Sequence, residues 1–188
     1  MTEEAPKHSL SRIATRNTCP ICTALREYQN VLLKHLQPLD CQHFCNTHAW
    51  VVANSSPADS VSVIFLKAIL DPSWHPASPV PDECDLCQRM HEEKESRLGE
   101  MAKQLSEPKV RSWLHDYGML CSRHGREVMA KLPESLRGSV QDLILRNREE
   151  IVELLEGFLQ RVELGSHTGG GILGRAAEFL VAQRGIEI

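Results

Sequence analysis

The sequence predicts an all-α fold, and three observations predict it. Apolar residues recur at three- and four-residue spacing through most of the chain. No stretch alternates apolar and polar residues as a half-buried strand would. Four short cysteine and histidine motifs separate the helical patterns from one another.

Each element can be justified in order. Cys19-Pro20 suits a helix start, because proline is favoured at the first helical position. The stripe that follows, Ile21, Leu25, Tyr28, Leu32, Leu36 and Leu39, falls on one helical face. Two further helices are expected over 46–55 and 58–70. Pro72, Pro76, Pro79 and Pro81 then forbid helix and mark a stiff, extended connector. Beyond it, Leu86, Met90, Leu98, Met101 and Leu105 form a second stripe, with Lys and Glu on the opposite face. Asp82 and Ser122 are candidate helix caps. Short helices are expected near 107–116 and over 122–131. Pro133 opens the longest pattern, 134–164, carrying Leu136, Val140, Leu143, Ile144, Ile151, Leu154, Leu155, Phe158 and Val162. A Gly-rich loop (165–171) and a last helix over 172–184 close the chain.

The motifs carry the chemistry. CPIC (19–22), FCNTH (44–48), CDLC (84–87) and MLCSRH (119–124) read as C-x-x-C, a helical pattern, then C-x-x-H, twice over. This order predicts an internal repeat, each half a metal-stapled helical hairpin. The expected quartets are Cys19/Cys22/Cys45/His48 and Cys84/Cys87/Cys121/His124. Two residues between ligands let a turn point two donors at one ion, and three thiolates with one imidazole are a common structural zinc set. Six of the seven cysteines fall into the pattern. The unequal gaps, Cys22 to Cys45 against Cys87 to Cys121, imply duplication with an insertion. A segmentation follows: a flexible N-terminus (1–18), a first repeat (19–71), the connector (72–83), a second repeat (84–132) and C-terminal helices (133–188).

Other readings of these cysteines fit less well. Haem attachment requires C-x-x-C-H, but Thr23 and Gln88 follow the two pairs. Thioredoxin-type chemistry expects a βαβ context that is missing. Two zinc ions are the expected cofactors, with an iron–sulfur cluster on the same ligands as the alternative. Cys41 and His43 lie close to the first quartet; Cys41 could substitute as a ligand, support one from behind or stay a free thiol, and a nearby non-ligand is the simplest reading. Trp50 is expected to pack over that quartet and keep it dry.

FCNTHAW (44–50), together with CPIC, CDLC and GMLCSRH (118–124), resembles a family of bacterial proteins of unknown function. That family pairs CPxC with FCxxHAW and then C-x-x-C with GLCxxH. The resemblance spans about 19–186 and implies a metal-binding bacterial protein. The sequence departs from the family pattern at Asp85, where proline usually stands.

Composition narrows the function. With 21 basic and 25 acidic residues the formal net charge is −4, and three thiolates around each divalent ion would make it more negative. A dedicated nucleic-acid binder needs concentrated positive charge, so that class is disfavoured. The best basic patch is Arg123, Arg126, Lys131, Arg137, Arg146 and Arg148, more simply read as charges balancing nearby Glu. The acids Glu92, Glu93, Glu95, Glu149, Glu150 and Glu153 read as a solvated face. His35 and His91 read as edge histidines rather than ligands.

The run Val61–Leu70 is too short and too polar to span a membrane, and the N-terminus has no apolar leader segment. Cytoplasm is the expected address, and there cysteines more often bind metal than form disulfides. GGGILG (169–174) matches a dinucleotide-binding string but lacks the strand that must precede it. No Glu-x-x-His, His-Glu-x-x-His or Gly-x-Ser-x-Gly motif occurs. The expected function is a zinc-stabilised, non-enzymatic interaction or regulatory protein whose C-terminal helices dock a protein partner or a second copy. An iron–sulfur electron carrier or redox sensor is the alternative.

Overall fold

Four helices of this chain begin immediately after a metal-type cysteine, and that coincidence organises the architecture. The computed structural model describes residues 18–35, 44–55, 58–70, 84–163 and 171–181. Among them are α1 (Pro20–Lys34), α2 (Asn46–Ser55), α3 (Ala58–Ile69), α4 (Asp85–Leu105), α5 (Pro108–Tyr117), α6 (Ser122–Lys131), α7 (Glu134–Glu163) and α8 (Gly171–Val181). No strand occurs among the described residues, so the fold is all-α. No helix among them is long and apolar enough to cross a membrane. Leu36, Leu39, Cys41, His43, Asp82 and nearly all of the N-terminus, the connector and the Gly-rich loop lie outside the described residues.

The chain forms two compact units, divided within α1 between Ala24 and Leu25 and within α4 between Glu95 and Ser96. The unit spanning Leu25–Glu95 buries Leu33, Cys45, Val52, Val61, Cys84 and Leu86 against one another. Phe44 meets Phe65 edge to face at 5.7 Å, which suits the ring quadrupoles and joins the start of α2 to α3.

The other unit, which includes Ser96–Ile186, is built around α7. Its buried face carries Val140, Leu143, Asn147 and Ile151, one face of a helix 30 residues long. Helices α5, α6 and α8 pack against α7, and α6 also packs on α8. Met119, Ile151 and Phe179 form one core cluster there, with Ile144, Leu155 and Ala176 against it. Arg175 reaches from α8 to Glu150 on α7 at 3.2 Å.

Helix boundaries in this unit have local causes. Pro108 opens α5 with its fixed φ, and Pro133, with no N–H to give, separates α6 from α7. The carbonyl left at Leu132 accepts a hydrogen bond from Arg137 Nε at 3.1 Å. Gly125 lets α6 approach α7: a Cβ there would stand 2.4 Å from Ile144 Cδ1.

Candidate metal centres

Each ligand pair is a helix N-terminus. Cys19, Cys45, Cys84 and Cys121 stand one residue before α1, α2, α4 and α6, and their carbonyls accept the first helical hydrogen bonds. The donors are the amides of Thr23, Ala49, Gln88 and Gly125, at 3.0, 3.0, 3.0 and 2.8 Å. The second ligand of each pair lies three positions on, in the first turn. Helical side chains tilt toward the N-terminus, so that residue leans back over the cap. Sulfur also takes the place of the usual capping oxygen. Cys121 Sγ accepts from the His124 amide at 3.4 Å, and Cys45 Sγ accepts from the His48 amide at 3.5 Å. The expected cap Ser122 is instead the first helical residue, and its hydroxyl donates to the Leu180 carbonyl at 3.1 Å.

Two such N-termini meet at each centre, but not in the expected combination. Cys19 and Cys22 join Cys121 and His124, while Cys45 and His48 join Cys84 and Cys87. The quartets Cys19/Cys22/Cys45/His48 and Cys84/Cys87/Cys121/His124 are therefore incorrect. Along the chain one centre is nested inside the other, and they are called inner (45, 48, 84, 87) and outer (19, 22, 121, 124) on that account. The physical reason lies in the helices. A ligand pair at an N-terminus is left behind as the helix extends, and the 21 residues of α4 advance the chain by about 31 Å from Cys84. The next motif along the chain therefore need not return to the pair that opened the helix.

The donor atoms fit a single tetrahedral ion. With metal–sulfur bonds of about 2.3 Å and metal–nitrogen bonds of about 2.0–2.1 Å, tetrahedral geometry places sulfurs about 3.8 Å apart and sulfur and nitrogen about 3.5 Å apart. In the inner centre Cys45, Cys84 and Cys87 have Sγ separations of 3.6, 3.8 and 3.9 Å. Their distances to His48 Nδ1 are 3.4, 3.4 and 3.2 Å. In the outer centre Cys22 and Cys121 are 3.8 Å apart, and Cys19, Cys22 and Cys121 stand 3.7, 3.2 and 3.3 Å from His124 Nδ1. Both centres could hold a metal ion with four protein ligands each.

The electrostatics point the same way. Crowded thiols cannot all ionise without a countercharge. In the outer centre burial opposes ionisation of Cys19. Hydrogen bonds from Cys121, Cys22 and His124 nevertheless hold its thiol well below the ordinary value. Cys22 is held up by donating to Cys121 and Cys19 and by burial, and Cys121 is also held up, first by its bond to Cys19. In the inner centre burial opposes ionisation of Cys84, yet hydrogen bonding from His48 and its neighbours brings it down to about 6. Burial, Cys45 and the charge at Cys84 push Cys87 up to about 12. Each centre thus favours one thiolate and resists the next. The positive ends of two helices face each quartet. A bound metal cation would supply the remaining countercharge.

Around the outer centre the sequence signal was partly missed. Asn147 is buried in the apolar stripe of α7 and donates to the Leu120 carbonyl at 3.3 Å. Arg146 binds the Gly118 carbonyl and, at 2.9 Å, Asn147 Oδ1. Both fix the segment that leads into Cys121. An asparagine at a core position of a helix was the signal, since a buried amide must have partners. Arg146 therefore leaves the expected basic patch. Arg137 also pairs internally, with Glu134 at 2.8 Å, and Arg123 pairs with Glu127 at 3.7 Å. His35 and His91 are exposed.

Trp50 does not cover a metal centre. Its side chain is 67 % exposed, because it lies on the outer side of α2, two residues beyond His48. Compared with known protein families, curated proteins and solved structures, the chain shows no match.

Proposed function

We propose that this is a zinc-stabilised, non-enzymatic module in which each quartet holds one structural zinc ion. The observation that carries this is a full set of four protein donors at tetrahedral spacing in both centres. A catalytic zinc keeps a coordination position for water or substrate, and a closed quartet offers none. The donor spacing also weighs against the iron–sulfur alternative. A cluster inserts several irons and bridging sulfides between its thiolates and holds opposite ligands farther apart than one ion does.

The interaction role rests on the C-terminal helices. Leu159 on α7 and Leu173 and Leu180 on α8 are 59, 54 and 62 % exposed, which leaves apolar surface for a protein partner or a second copy. The thiols of the centres are unpaired, in keeping with a reducing, cytoplasmic setting. The motif resemblance supports a bacterial origin.

Metal analysis of protein purified without added metal tests the reading. Two zinc equivalents on a colourless protein are expected. Iron with visible charge-transfer absorption, or a centre with three protein ligands and a water, would overturn it.

A further inference from the structure

Resting on the zinc reading, we infer that the two centres are unequal in function. The outer one is a permanent brace, whereas the inner one is an exchangeable and oxidisable site entered through Cys87. All four outer ligands are buried, with Cys121 and the preceding Leu120 at 0 % exposure. Cys87 is the exception among the eight ligands, being only half-buried. Asp85 and Gln88, on the same first turn of α4, are exposed, so that side of the turn meets solvent. An incoming chelator or oxidant thus reaches a ligand sulfur of the inner centre with the fold intact. At the outer centre it must wait for local opening.

The oxidative step balances with a hydroperoxide as the oxidant. The Cys87 thiolate attacks one oxygen of hydrogen peroxide and breaks the O–O bond, leaving a sulfenic acid and hydroxide. A neighbouring thiolate, Cys45 at 3.6 Å or Cys84 at 3.9 Å, displaces the second hydroxide and closes a disulfide. The two thiolates lose two electrons, the peroxide gains them, and two solvent protons complete two waters. The divalent zinc keeps its oxidation state and leaves, since only one thiolate and His48 remain to hold it.

The test uses the intact zinc-loaded protein, whose starting zinc content is measured first. Hydrogen peroxide is added with a chromophoric chelator, and the cysteines are mapped by alkylation and mass spectrometry. One zinc equivalent is expected to leave about tenfold faster or more, with a disulfide from Cys87 to Cys45 or Cys84 and Cys19, Cys22 and Cys121 still protected. Chelator alone should release the same equivalent first. Equal release rates, or first oxidation at the outer cysteines, would overturn the inference while leaving the zinc reading intact. A starting content below two equivalents sinks both.

Discussion

Cys22 Sγ and His124 Nδ1 stand 3.2 Å apart although 102 positions separate them in the chain. The inner centre repeats the relationship between Cys87 and His48, also at 3.2 Å, across 39 positions. The metal centres therefore tie together segments remote in sequence, and in nested order rather than one after the other.

That nesting makes a direct prediction about paired substitutions. Cys22→Ser and Cys45→Ser alter different centres, so each single variant should lose one zinc equivalent and the double variant two. Cys22→Ser with Cys121→Ser alters one centre, so the double variant should lose no more than either single one. Native mass spectrometry reads both stoichiometries. Loss of only one equivalent from the Cys22/Cys45 double variant would restore the sequential pairing.

Removing the metal should cost most of the fold. Structural zinc contributes about 10–16 kcal/mol in small fingers, against about 5–15 kcal/mol for the net stability of a whole domain. Aromatic residues make up only 5 % of this chain, so few large rings reinforce the cores. Treatment with a strong chelator is expected to remove more than half of the helical circular dichroism, and returning zinc to restore it. Unchanged ellipticity after complete metal removal would show that packing alone holds the helices.

Most helix starts, and the eight cysteine and histidine positions that gather in two clusters, were legible in the sequence, because both are written locally. A cysteine before a helix and its partner three residues on report the same first turn, wherever the rest of the chain goes. The partnership between turns is not local. It depends on where α1 and α4 deliver the chain, and a motif read in linear order cannot supply that. Trp50 departs from expectation for a related reason: nearness to His48 in sequence says little about facing, because residues two positions apart do not share a helix face. Asn147 is legible as a polar residue on the stripe of Val140, Leu143 and Ile151, but only its burial shows that its amide must find partners there.

Zinc affinity at the inner centre should fall with falling pH, in two regimes. Cys87, pushed up to about 12, keeps its proton until the ion displaces it. Cys84 is brought down to about 6 from 9.0, so it is already a thiolate through neutral pH. Its folded value lies below the unfolded one, so its contribution to the metal-free unit is complete above 9.0 and is lost as pH falls through about 6. Cys87 behaves oppositely, its contribution holding below 9.0 and vanishing as pH climbs through about 12. Between these limits affinity should drop by at least about tenfold per pH unit, one displaced proton, and more steeply below the Cys84 value. Competition titrations across pH measure the slope. A flat profile would mean that the ion does not replace protons on these sulfurs.

Asn147→Leu should weaken the outer centre selectively. The substitution keeps the branched outline of the side chain but leaves the Leu120 carbonyl buried without its amide partner, at a cost of about 1–3 kcal/mol. Leu120 precedes Cys121, so loosening it disturbs a ligand directly. The variant should release its inner zinc to a chelator at the parent's rate and its outer zinc faster than the parent does. An outer ion released at the parent's rate would show that this contact only packs α7.

Two glycine substitutions should move stability in opposite directions for reasons visible at each site. At Gly118 a Cβ would stand 2.2 Å from Leu114 Cδ1 and 2.8 Å from the Leu114 carbonyl oxygen. The leucine tip can turn away, but the carbonyl is backbone and already accepts the Gly118 amide at 2.8 Å. With φ at −100° the backbone itself is not strained, so the close approach alone demands glycine. Gly118→Ala should therefore cost about 1–3 kcal/mol and shift the segment that carries Cys121. Gly99, inside α4, has nothing within 4 Å of the added carbon. There alanine removes the entropy penalty of glycine in a helix, a gain of about 0.5–1 kcal/mol. Thermal denaturation of the zinc-loaded variants should lower the midpoint for the first and raise it for the second. A Gly118→Ala protein as stable as the parent would show that the turn after α5 shifts freely without disturbing the outer centre.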